Sequence, residues 1–111
     1  MSYKIKSRIW IEIDGNKLLG EGNVKLLKAI EDTGSLSKAA KSIGMSYKKA
    51  WSLVNAVNKR AKKPVTINSI GGKGGGGAEL TPYGKTLITS FDEINKRCWN
   101  FLDEQLAQTS I

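Results

Sequence analysis

Histidine is absent from this chain, and cysteine occurs only once. Without an imidazole the commonest general acid–base group and metal ligand is missing, so Cys98 has no partner to activate it and no second thiol with which to hold zinc. The acid pairs Asp92-Glu93 and Asp103-Glu104 are neighbours on a helical stretch, where they point about 100° apart, and solvated charge accounts for them. Enzymatic activity is not expected, and neither is a cofactor or a metal. A lone thiol cannot form an internal disulfide, which agrees with a reducing compartment. Long apolar runs are missing too. No stretch of about 18 apolar residues is present to span a bilayer, and Lys4, Lys6 and Arg8 break up the N-terminus where a signal peptide needs its apolar segment. Together these point to the cytoplasm, with no membrane partner.

Acidic residues are the other scarcity, and their distribution is informative. The 111 residues carry 18 Lys and Arg against 10 Asp and Glu, a net charge of +8 with a pI near 9.7. From Ser35 to Ala78 there are nine bases and no acid, whereas Leu87 to Ile111 has two bases and four acids. The positive charge is therefore local, and it suits a polyanion such as double-stranded DNA. A chain of this length is one domain with a modest core and one appended element.

The acid-free stretch begins GSLSKAAKSIGMSYKKAWSLVNAVNKRAKK, Gly34 to Lys63. Ser35 is a good N-cap, and Leu36, Ala39, Ala40 and Ile43 recur with helical spacing. Gly44 closes that helix, and Ser46 caps a second, from Tyr47 to about Lys62. Helix, tight break and longer basic helix make a helix-turn-helix over about 35–62. On the second helix, Ala50, Leu53, Val54, Val57 and Ala61 share one side. Lys48, Ser52, Asn55 and Lys59 share the other, with Lys49, Trp51 and Lys62 at the edges. The outward set matches the chemistry of a DNA major groove. Lys48, Ser52 and Asn55 are placed at base edges, and Lys38, Lys41, Lys49, Lys59 and Lys62 at phosphates. The plainer alternative is a solvated polar face.

Elements on either side complete the architecture. Tyr3 to Ile13 alternates, with Ile5, Ile9, Ile11 and Ile13 on one face, so it predicts a half-buried strand that turns at Asp14-Gly15 into a short return over Lys17 to Leu19. Trp10, on the polar face, is either an edge anchor or part of an interface. Asn23 is expected to cap a helix ending at Thr33, with Leu26, Leu27 and Ile30 inward. Past Pro64, the strand-like Val65, Ile67 and Ile70 lead into GGKGGGG and then Ala78-Glu79-Leu80, the pattern of a wing over about 65–80. Lys73 is the one side chain on that tip, where bare backbone at Gly72 and Gly74 can approach a phosphate ridge or the minor groove. A glycine run of this kind can also be a flexible linker. Gly84-Lys85-Thr86 ends like a phosphate-binding loop, but the first glycine of that pattern falls on Glu79 and Pro82 removes an N–H, so nucleotide hydrolysis is not supported.

Thr81-Pro82 opens the last helix. Leu87, Phe91, Ile94, Cys98 and Phe101 keep steps of four and three, flanked by Ile88, Leu102 and Leu106. This seam runs about 20 residues, roughly 30 Å of helix. A small domain does not cover so long a stripe alone, so the seam at Leu87, Phe91, Ile94, Cys98, Phe101 and Leu102 reads as a homodimer interface; intramolecular packing on the first strand is the alternative. The fold class is mainly α with a small β component, a winged helix-turn-helix over 1–80 and a dimerisation helix over 81–111.

The motifs SLSKAAKSIGMSYKKAW and GGKGGGGAELTPYGKTLI resemble the DNA-binding N-terminal domain of the ModE family of molybdate-responsive transcription regulators, itself similar to the winged helix-turn-helix of LysR-type regulators. The likeness is close from about Asn23 to Ile88, and the glycine-rich motif is its most diagnostic part. It implies a dimer on a pseudo-palindromic operator, with Ser46, Tyr47, Lys48 and Trp51 around the reading helix and Lys73 in the wing; Ser35, which caps the preceding helix, is a further DNA-binding candidate. Family members of full length carry C-terminal molybdate-binding domains, and nothing in this sequence matches them. A separate sensor protein is one way in which such a chain would receive a signal. Two functions of other classes remain, a sequence-independent nucleoid or architectural protein and a protein-interaction module.

Overall fold

The computed structural model describes residues 2–69 and 77–111. In chain order the elements are β1 (Trp10–Ile13), β2 (Asn16–Gly20), α1 (Glu21–Thr33), α2 (Leu36–Ser42), α3 (Tyr47–Arg60), β3 (Thr66–Ser69), β4 (Gly77–Leu80) and α4 (Pro82–Ala107). Two antiparallel hairpins, β1–β2 and β3–β4, flank a cluster of three helices, and α4 leads away from it. This is a winged helix-turn-helix.

Asp14 and Gly15 both have positive φ, 50° and 80°, the backbone that a two-residue hairpin turn requires. The ladder then pairs Glu12 with Lys17 but Ile11 with Leu19, leaving Leu18 as the extra residue of a bulge. Because of that bulge, Leu18 and Leu19 are both buried, although neighbours on a regular strand face opposite ways. The strand is shorter than its alternating pattern predicts. β2 offers only five residues to pair with, so residues 3–9, with Ile5, Ser7 and Ile9 half-buried, belong to no sheet. They lie along α4 instead, with Ser7 Oγ 3.7 Å from Cys98 Sγ. Trp10 is anchored on the hairpin, its Nε1 donating to Glu12 Oε2 at 2.9 Å and Lys17 Nζ lying 5.7 Å from the ring centre.

Asn23 does not cap α1. Gly20 is the N-cap, and Asn23, three residues on, reaches back so that its Oδ1 accepts from Gly20 N at 2.7 Å while its Nδ2 donates to Leu18 O at 2.9 Å. The helix thereby gains three residues at its start, and Glu21 stands in the first turn, where negative charge is favoured. The other caps fall where the sequence puts them. Ser35 accepts from Lys38 N and Ser46 from Lys49 N, both at 3.2 Å, and Thr81 accepts from Gly84 N at 2.9 Å. Gly34 and Gly44 take φ of 72° and 69° to close α1 and α2. α3 ends at Arg60 rather than Lys62. Pro64 disfavours helical backbone in the residue before it, and the chain bends through 61–63.

The core centres on Leu19, Leu26, Leu27, Ile30 and Val65, all but inaccessible, with Ala39, Ala40 and Ala50 letting the helices approach closely. Gly84 is part of this packing. A Cβ there would stand 2.3 Å from Val65 O, so only glycine lets the first turn of α4 sit on the strand approach. The phosphate-loop-like Gly84-Lys85-Thr86 thus lies inside a helix for a packing reason. Gly84→Ala should destabilise the fold by about 1–3 kcal/mol through overpacking, read as a lower midpoint in thermal unfolding.

Candidate nucleic-acid interface

Helix α3 is amphipathic for the reason its spacing predicts. Ala50 and Val57 are buried and Leu53, Val54 and Ala61 half-buried against α1, α2 and β2. Tyr47, Lys48, Lys49, Trp51, Ser52, Asn55 and Lys59 are exposed. Tyr47 and Trp51 are 56% and 53% accessible one turn apart, an aromatic ledge on the outer face, where the apolar–polar division puts Trp51 at the edge and leaves Tyr47 unplaced. Ser52 and Asn55 make no side-chain hydrogen bond among the described residues, so their donors and acceptors face solvent free for a partner.

Helix α2 adds Lys38 and Lys41, both exposed, across the turn that Gly44 allows. The Oγ atoms of Ser35 and Ser46 already accept from backbone N–H groups, which leaves each hydroxyl proton available to donate. Lys62 departs from expectation. It lies beyond the end of α3, on the bend leading to Pro64, exposed but off the helical face. Arg60 also stands apart, because its Nη1 donates to Lys17 O at 2.8 Å and ties the end of α3 to β2.

The electrostatics are one-sided. The ion pairs among the described residues are Arg8–Glu21, Lys28–Asp92 and Arg97–Glu93, and none involves a lysine of α2 or α3. Cations without a carboxylate neighbour keep their full attraction for an external anion. Among the described residues no group of three or more Cys, Asp and Glu side chains is placed to hold a metal, and no helix is long and apolar enough to cross a membrane.

Strands β3 and β4 pair from Thr66 with Leu80 to Ser69 with Gly77, the antiparallel hairpin expected of a wing. Gly72, Lys73 and Gly74, together with Ile70, lie outside the described residues. The base of the hairpin is fastened at several points. Ala78 N donates to Gly34 O at 2.9 Å, Thr81 N donates to Val65 O at 3.0 Å, and the Asn58 side chain bonds the start of β3. Asn58 is absent from the sequence-derived set because nothing local distinguishes it from the other asparagines of α3.

The seam on α4 divides in two. Phe91, 4% accessible, belongs to the intramolecular core with Ile88, a correction to its place in a subunit interface; the helix is held to α1 beside it by the Lys28–Asp92 pair at 2.9 Å. Leu87, Cys98 and Leu102 are half-buried by the chain itself. Ile94 and Phe101, 50% and 51% accessible, remain as an open apolar stripe.

No family model matches the chain. Individual proteins do. The molybdenum transport protein ModE of Azotobacter vinelandii is 33% identical over 97 residues, 87% of this chain and 36% of that protein. The molybdenum-pterin-binding protein MopB of Rhodobacter capsulatus is 49% identical over 76 residues, 68% of this chain and 28% of that one. The DNA-binding transcriptional dual regulator ModE of Escherichia coli K12 is 40% identical over 87 residues, 76% and 33% respectively. The chain spans roughly a third of the length of these curated relatives. Several carry the names of transcription regulators, a non-enzymatic class, in agreement with the sequence expectation. With its capped helix-turn-helix, its hairpin wing and this likeness over most of its residues, the chain belongs, across the part it shares with them, to the ModE family of regulators.

Proposed function

We propose that this chain binds double-stranded DNA sequence-specifically and regulates transcription as a homodimer in the cytoplasm. The observation that carries the reading is the outer face of α3, where lysines without carboxylate partners surround free Ser52 and Asn55 side chains and an exposed aromatic ledge. The name of the Escherichia coli relative, a DNA-binding transcriptional dual regulator, supports it. In this reading α3 enters the major groove with Lys48, Ser52 and Asn55 at base edges. Lys38, Lys41, Lys49, Lys59 and Lys62 hold phosphates, and the O–H groups of Ser35 and Ser46 donate to the backbone. Tyr47 and Trp51 pack on sugar and thymine methyl groups. Gly72, Lys73 and Gly74 are assigned to the phosphate ridge or minor groove on sequence alone. The molybdenum in two relatives' names gives a candidate signal, delivered in this reading by a separate sensor protein.

Selection of bound duplexes from a random pool, followed by competition, tests the whole reading. A regulator should prefer its selected site over random DNA by about 10³ or more, and an architectural protein hardly at all. Lys48→Ala should weaken operator binding by about 1–3 kcal/mol and relax preference at one position. Lys62→Ala, off the helix, should weaken all duplexes alike and lower the salt slope by about one. Equal losses on every sequence for both variants contradict that division.

The domain division at residue 81 and the dimer belong to the same proposal, with Ile94 and Phe101 as the centre of the contact. Phe101→Asp should turn the dimer into a monomer in sedimentation equilibrium and weaken binding to a two-half-site operator far more than to a single half-site. A wild-type monomer at micromolar concentration, bound to one unpaired half-site, would rule the dimer out.

A further inference from the structure

The geometry assigns Asn58 as a positioning residue that sets the wing hairpin at a fixed distance from the reading helix; the inference rests on the DNA-binding reading above. Asn58 occupies the last turn of α3, next to buried Val57, and is itself half-buried. Its Oδ1 accepts from Val65 N at 2.7 Å and from Thr66 N at 3.1 Å, and its Nδ2 donates to Thr66 Oγ1 at 2.9 Å. Two backbone donors on one amide atom fix which atom is oxygen, so the orientation of the side chain is determined by its partners. Three hydrogen bonds from a single side chain thus join the helix to the first strand of the hairpin.

No other hydrogen bond among the described residues joins α3 to β3. Between α3 and β3 the backbone only bends, and Pro64 has no N–H to give. The remaining anchors of the hairpin run elsewhere. Ala78 N bonds Gly34 O between α1 and α2, while Thr81 Oγ1 donates to Pro64 O at 2.7 Å and its N–H bonds Val65 O from the start of α4. Removing the Asn58 side chain therefore leaves the hairpin's other hydrogen bonds to the body in place and takes away its hydrogen-bonded link to α3. Thr66 is buried, and its Oγ1 has this amide as its side-chain partner, so the link also satisfies a polar group that water reaches poorly. A protein that places one element in a groove and another on the flanking backbone needs their spacing held to match the duplex, and this side chain supplies that constraint.

The test is hydroxyl-radical footprinting with binding titrations on the selected site, using the full chain. For Asn58→Ala the expected result is an affinity loss of about five- to tenfold. Protection should disappear at the flanks while central protection and base preference stay as in the wild type. Thr66→Val, which keeps both backbone bonds to Asn58, should lose about two- to threefold with the same flank-only pattern, and it carries the test if Asn58→Ala does not fold. Flanks still protected in these variants, or flank and centre lost together, would overturn the assignment. A wild-type chain with no duplex affinity at all would instead bring down the DNA-binding reading itself, before any variant mattered.

Discussion

Much of this molecule turns on how the backbone of Val65 is gripped. Its N–H is held by Asn58 from α3, its carbonyl by Thr81 from the start of α4, its side chain is wholly buried, and the missing side chain of Gly84 makes room for the contact. Three elements to which the proposed function gives separate tasks, a helix to read, a hairpin to flank and a long helix to associate, are thereby referred to a single residue. Neutral hydrogen bonds add only about 1 kcal/mol each, but leaving such groups buried and unpaired costs more, so the junction is held chiefly by the penalty for opening it. The scarcity of proline makes Pro64 count here. It stops α3 and directs the chain into the grip.

Electrostatics supply the second organising constraint. The acids all lie outside the helix-turn-helix, and the ion pairs among the described residues join Arg8 to Glu21, Lys28 of α1 to Asp92 of α4, and Arg97 to Glu93 within α4. The helix-turn-helix is left with cations alone. Such a surface is tolerable at one edge of a small domain, where each lysine is hydrated, and it becomes favourable only when a polyanion takes the place of water and counterions. Folding is then carried by the apolar cluster and the caps, so charge on the outer face is free to serve recognition.

What could be read from sequence was local. Ser35, Ser46 and Thr81 each satisfy a donor three residues away, and Gly34 and Gly44 answer to a backbone angle that no neighbour imposes, so their roles follow from the string itself. The exposed face of α3 was legible because helical periodicity fixes it within a few positions. Asn23 was harder, since a residue that bonds back to Gly20 looks the same on paper as one that caps the helix after it. The alternation from Tyr3 predicts a strand to Ile13, but only Trp10–Ile13 is sheet, because the length of β2 determines how much of the segment finds a partner. Phe91 keeps the same heptad step as Ile94, and the distinction between core and open stripe comes from α1 packing across the helix. Asn58 was invisible because its partners lie beyond a proline and belong to another element.

The bulge at Leu18 has a consequence for how this chain tolerates change in length. Parity is broken once, so that two consecutive leucines dip into the same interior. Deleting Leu18 would restore an unbroken ladder and, in doing so, leave one leucine where two are now buried and put another residue's carbonyl where Asn23 Nδ2 now meets Leu18 O. The short hairpin thus acts as a counter of residues: swaps of side chain on its outer face leave the count intact, and a single omission does not.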